Sequence, residues 1–170
     1  MPAANQPKGS VSTGSIKPVT RKAVRCQREV AWLVTQAAGK LVSTTDDVNA
    51  PTPSFVLAAA LSYTRKQEQA AQDNGHAIDH EVIMGPDLAS FCQAAGLPAA
   101  PNALSDAGYM FTLSGADLIR DLYAYCGGLG ERMGDAAQVK PGYAIKLALR
   151  LFLLGGAARN GATPADNASA

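Results

Sequence analysis

From Tyr143 to Leu154 the chain is apolar almost all the way round a helix. Ile145, Leu147, Leu149, Leu151, Phe152, Leu153 and Leu154 leave room for only Lys146 and Arg150 among the polar residues. A helix without a broad polar face has to be covered on every side, by its own domain or by a partner. The rest of the chain must therefore supply elements that wrap around it. The segment is too short and too charged to cross a bilayer, so no membrane span is expected.

The surroundings read as helices. Val30, Leu33, Val34, Ala37, Ala38 and Leu41 recur at three- and four-residue spacing, which predicts a helix from Arg21 to Val42 with one apolar stripe. Thr52-Pro53 opens a second helix, with Thr52 as cap and Pro53 in the first turn, where a missing N–H costs nothing. It should run to Asp73 and end at Asn74-Gly75. Ile78 to Met84 fits a short helix or a strand equally well. Gly85-Pro86-Asp87 opens a helix that ends near Gly96. Tyr109 to Leu113 is β-prone. Ser114 to Asp117 has capping-box spacing, and the helix behind it should run to about Tyr125 or Cys126, where Gly127-Gly128 weakens it. The apolar helix should run from Pro141 to Leu154 and stop at Gly155-Gly156.

The fold class that follows is all-α or nearly so, a single compact domain of five to six helices over residues 21–157. Residues 1–20 are expected as a flexible basic arm and 158–170 as a disordered tail, because both are rich in small and polar residues and poor in large apolar ones. Expected core residues are Trp32, Leu33, Leu41, Phe55, Leu57, Leu61, Leu88, Phe91, Leu118, Leu122, Ile145, Leu149 and Phe152. Tyr109, Phe111, Tyr123 and Tyr125 read as core and rim packing. No internal repeat and no sustained heptad is present.

The 170 residues carry a formal net charge of +1, which hides a segregation. Lys8, Lys17, Arg21, Lys22, Arg25 and Arg28 are the six charged residues of positions 1–28, and no acid falls there. Positions 40–135 hold five bases against twelve acids. A basic arm of this kind can neutralise nucleic-acid phosphates or lie on the acidic middle of a neighbouring copy. It also fits a solvated tail with no partner. No aromatic residue is interleaved with the bases before Trp32, so the arm offers no stacking platform for single strands. Charged residues are 17% of the chain, a low share that suits close protein–protein packing.

Motifs for catalysis are missing. Three widely spaced cysteines, Cys26, Cys92 and Cys126, form no CxxC pair and read as buried free thiols. His76 and His80 have metal-like spacing and are weak metal candidates, but Ala77 stands where HExxH needs its glutamate. Gly127-Gly128-Leu129-Gly130 lacks the spacing of a dinucleotide loop and reads as a joint. Cys92 or Cys126 with His80 would be an unsupported nucleophile pair. Asp117 and Asp121 flank Arg120, and Asp117 suits a helix start. Lys146 and Arg150, four apart, form a cationic pair. Their stems lie along apolar surface with heads in water, or they face an acidic neighbour or a phosphate.

The reading is a non-enzymatic structural subunit that self-assembles, of the viral or phage coat and shell type. It is expected to be soluble and cytoplasmic or part of a virion, with no cofactor. Its partners are copies of itself or other structural subunits, with nucleic acid as a further partner of the arm. Two alternatives stand beside it: a small helical nucleic-acid-binding regulator or adaptor dimer, and an enzyme whose site is built from scattered residues.

Overall fold

A computed structural model describes residues 17–44, 51–101, 108–134 and 139–161. Along the chain they form β1 (Arg21–Cys26), α1 (Glu29–Thr44), α2 (Pro53–Asp73), α3 (His80–Met84), α4 (Leu88–Ala95), β2 (Tyr109–Ser114), α5 (Ala116–Arg132) and α6 (Pro141–Gly161). Six helices and a two-stranded antiparallel sheet thus make up the described residues, a mostly helical single domain.

α6 is the axis of the domain. It touches α1, α2, α3, α4, α5 and β1. Ala144, Ile145, Leu147, Ala148, Leu149, Leu151 and Leu153 are buried along it. That is the cover its sequence demanded. No helix among the described residues is long and apolar enough to cross a membrane.

Where local chemistry decides, the helix ends follow the sequence. Thr52 Oγ1 accepts from Phe55 N, with Pro53 in the first turn of α2. Asp87 accepts from Ser90 N at the start of α4, and Gly96 closes that helix at φ 67°. Asp79 caps α3, which settles the 78–84 segment as a short helix with Ile78 outside it.

Four expectations are corrected. Residues 21–26 are a strand, not the first turns of a helix. The apolar stripe begins only at Val30; ahead of it Val24 and Cys26 alternate with exposed residues, a period of two. The partner that makes this a strand is β2, with Arg21 opposite Ser114 and Cys26 opposite Tyr109. Ser114 ends that strand and caps nothing: Gly115, at φ 111°, precedes α5 without a side-chain cap. α5 runs through Gly127-Gly128, because Leu122, Tyr125, Cys126 and Leu129 keep burying one stripe across the glycines. α6 passes Gly155-Gly156. Gly155 is a packing seat: a Cβ there would collide with the Tyr63 hydroxyl. Tyr63 also meets Phe152 edge-on at 5.7 Å between centroids.

Among the expected core residues, Leu33, Leu57, Leu61, Phe91, Leu118, Leu122, Ile145 and Leu149 are buried. Trp32, Leu41, Leu88 and Phe152 are half-buried. Phe55 is 59% exposed, because it lies one position off the buried stripe Val56, Leu57, Ala60 and Leu61. Phe111 and Tyr125 are buried, whereas Tyr123 is on the surface.

Candidate functional site

The basic residues come together around β1. Lys17 is exposed ahead of the strand, Arg21, Lys22 and Arg25 lie in it, and Arg28 sits in the turn into α1. Lys8 lies outside the described residues. Alternation sends Val24 and Cys26 inward with Phe111 and Leu113 of β2. The outer face then holds Arg21, Ala23 and Arg25 opposite Ser114, Thr112 and Met110. It carries two guanidinium groups and no carboxylate. Lys22 turns its Nζ over the Tyr123 ring, 4.2 Å from the centroid.

The two edges of this sheet differ. Gly115 N donates to Thr20 O, which fixes the ladder: the backbone groups of Lys22, Val24 and Cys26 face β2. Those of Arg21 and Ala23 face the other way. On the far edge of β2, Ser114 N donates to Ser54 Oγ at 2.9 Å, so the start of α2 closes that edge. At the Arg25 end of β1, α6 comes so close that a Cβ on Gly142 would stand 2.7 Å from Arg25 O. Among the described residues no strand pairs with the outer backbone edge of Arg21–Ala23, and residues 17–23 are exposed throughout.

Lys146 and Arg150 do not hold their heads in water. Arg150 is 1% exposed. Its Nη1 donates to Ile83 O at 2.9 Å and Pro86 O at 2.8 Å, its Nη2 reaches Glu29 Oε2 at 3.3 Å, and its guanidinium stacks on Phe91. Lys146 pairs with Glu29 Oε1 and donates to Gln27 Oε1 at 3.1 Å. The acidic neighbour of the cationic pair is therefore Glu29 of the same chain. The cluster ties α6 to the start of α1 and to the turn between α3 and α4. Two bases on an otherwise apolar helix were its sequence signal; Glu29 as the partner was not readable.

His76 and His80 do not share a helix face, since α3 begins only at His80. They line one crevice of about 800 Å³ with Glu68 and Arg132. Glu68 accepts from the Tyr125 hydroxyl at 2.9 Å and lies 3.3 Å from Arg132 Nη2 and 3.5 Å from His80 Nε2. Burial pushes the Glu68 carboxyl up, but hydrogen bonds from His80 and Tyr125 and the charge of Arg132 outweigh it, leaving the pKa below its ordinary 4.5. Burial, with the Glu68 charge beside it, pushes the Tyr125 phenol up. This carboxylate is saturated with donors, which suits a tie between α2, α3 and α5. No group of three His, Cys, Asp or Glu side chains among the described residues could hold a metal ion.

A group with a lowered folded pKa stabilises above its unfolded pKa and loses that contribution as pH falls. Glu68→Gln should therefore lower the melting temperature at neutral pH, and its deficit against wild type should shrink as pH falls below 4.5. Thermal melts of both proteins across the acid range check this; a deficit that stays constant would contradict it.

The other candidates for chemistry are buried in the core or paired on the surface. All three cysteines are free and buried, and burial raises the Cys26 thiol to about 11 and the Cys126 thiol also upward. Asp117 and Asp121 both pair with Arg120, at 3.2 and 3.6 Å on the surface. Comparison with protein-family models, with curated proteins and with solved structures finds no match for this chain.

Proposed function

We propose that this chain is a non-enzymatic structural subunit that assembles with copies of itself, and that the open edge of β1 is the contact. The observation that carries the reading is the backbone edge at Arg21–Ala23, unfilled among the described residues, beside a sheet whose other edge is closed by Ser54. An exposed edge is a template for pairing with another chain. Charged residues on an edge discourage indiscriminate pairing, so Arg21 and Lys22 select for an acidic partner segment. The chain carries acids that could meet it: Asp73, Glu81 and Glu131 are exposed on α2, α3 and α5. A basic edge on one copy meeting acidic residues of the next is a head-to-tail contact, which builds rings or filaments. Exposed Val19, Phe55 and Met110 add apolar area to the neighbourhood of the sheet.

A second reading, a nucleic-acid-binding adaptor, has one observation in its favour. Arg21 and Arg25 present two cations on one sheet face with no carboxylate between them, which suits a phosphate backbone.

Size-exclusion chromatography with light scattering separates the two. Protein stripped of nucleic acid should form large species at low salt that shrink at high salt. Removal of residues 1–20 should leave the helical domain folded and weaken assembly. A small oligomer that grows only when nucleic acid is added would favour the adaptor. Assembly unchanged by truncation would overturn the role given to the arm, and assembly unchanged by salt the role given to the basic edge.

A further inference from the structure

Phe55 forgoes the burial that an aromatic side chain ordinarily takes. Its position follows from the phase of α2. Val56, Leu57, Ala60 and Leu61 face the core, and at 3.6 residues per turn Phe55 points away from it. The sheet turns Val24, Cys26, Phe111 and Leu113 into the same core. Phe55 and the outer face of the sheet therefore both point away from one common core. Ser54 holds the two together: its Oγ accepts from Ser114 N at 2.9 Å and donates to Thr112 O at 3.5 Å. The sequence places no aromatic residue among the bases of the arm, and the fold brings one to the rim of the basic face.

That face carries Arg21 and Arg25 on β1 with Met110, Thr112 and Ser114 on β2, all of them exposed. Among the described residues neither Arg21 nor Arg25 has an ion-pair partner. The acid next along the chain from β2, Asp117, pairs with Arg120 at 3.2 Å. Arg21 and Arg25 stand four residues apart, about 13 Å along a strand. That exceeds the ~3.4 Å axial repeat of one nucleic-acid strand, so the two guanidinium groups meet different phosphates. Thr112, opposite Ala23, and Ser114, opposite Arg21, add hydroxyl donors for phosphate oxygens.

We propose that this face binds single-stranded nucleic acid, with one base stacked on the Phe55 ring and the phosphates drawn along Arg21 and Arg25. Cations alone would take any polyanion. The exposed ring narrows the class, because only an unpaired, splayed base offers its flat face to a side chain. Phenylalanine has no polar group with which to rank the bases, so binding is sequence-tolerant. The proposal rests on the nucleic-acid reading of Arg21 and Arg25 and adds to it the strandedness and a stacking residue. It uses side chains of the outer face, not the backbone edge at Arg21–Ala23, and so stands apart from assembly.

Fluorescence anisotropy of the full chain at low salt tests it, with a labelled oligothymidylate and the same strand paired to oligoadenylate as probes. The single strand should bind saturably and at least about 10-fold more tightly than the duplex. Phe55→Ala should weaken the single strand about 10-fold and leave its salt dependence unchanged. Arg21→Gln and Arg25→Gln should each weaken it and lower the slope of log affinity against log salt by about 0.7. All three side chains are exposed, so the variants should melt as wild type does. Lys66→Gln, at an exposed lysine on the same helix as Phe55, should change nothing. A duplex bound as tightly as the single strand, with Phe55→Ala silent, would overturn the proposal and leave the charge reading standing. No saturable binding of either probe would overturn both. Equal weakening by Lys66→Gln would mean diffuse electrostatics without a site, and would overturn the proposal as well. If Phe55→Ala instead shrinks the assemblies seen by light scattering and leaves strand binding untouched, a second copy covers this face and the proposal fails.

Discussion

Replacing Arg150 with alanine should destabilise the domain by about 3–5 kcal/mol, the cost of breaking a buried ion pair from one side. The guanidinium donates to Ile83 O and Pro86 O and holds one oxygen of Glu29. Truncation leaves the carbonyls without their partner, removes the stacking on Phe91, and opens a void beside the axis helix. Lys146→Ala should cost far less, roughly 1 kcal/mol. Its side chain is 16% exposed against 1% for Arg150, and Arg150 remains on Glu29 when it is gone. Urea unfolding followed by circular dichroism checks both, as a shift in midpoint at constant slope. Equal losses for the two variants would contradict the division of labour drawn from the geometry.

Gly155→Ala has a sign that separates two arguments. Helix propensity alone favours alanine over glycine by about 1 kcal/mol. The structure predicts the reverse, a loss of about 1–3 kcal/mol from overpacking, because the new methyl would meet the Tyr63 ring. Tyr63 cannot simply swing away, since its ring is held edge-on against Phe152. In a Tyr63→Ala background the seat is empty, and Gly155→Ala should then become neutral or stabilising. Calorimetric melts of the four proteins close the cycle. Stabilisation by Gly155→Ala in the wild-type background would show that Tyr63 does not occupy the seat.

What was legible in the sequence was local. The caps at Thr52 and Asp87 and the stop at Asn74-Gly75 involve neighbours within a few residues, so their chemistry is written where it acts. The apolar run of α6 implied a central helix because solvation leaves it no other place. What was not legible depends on distant partners. β1 is a strand only because Tyr109–Ser114 arrives to pair with it. Gly155 continues a helix only because Tyr63 sits on it, and Arg150 is buried only because Glu29, 121 positions away, accompanies it. The candidate site divides the same way. The basic residues stood out as a charge run, but their position on an open strand edge, and the placing of Phe55 at the rim of their face, needed the fold.

The central claim is that the Arg21–Ala23 edge joins one copy to the next. Ala23→Pro tests it most directly. The N–H at this position faces away from β2, so proline removes a donor from the open edge and none from the β1–β2 ladder. Light scattering of the variant and the wild type at low salt is the measurement. A monomer for Ala23→Pro with an unchanged circular dichroism spectrum, against large species for wild type, is the predicted result. Assemblies of equal size in both proteins, or a wild type that is monomeric under every condition, would contradict the account.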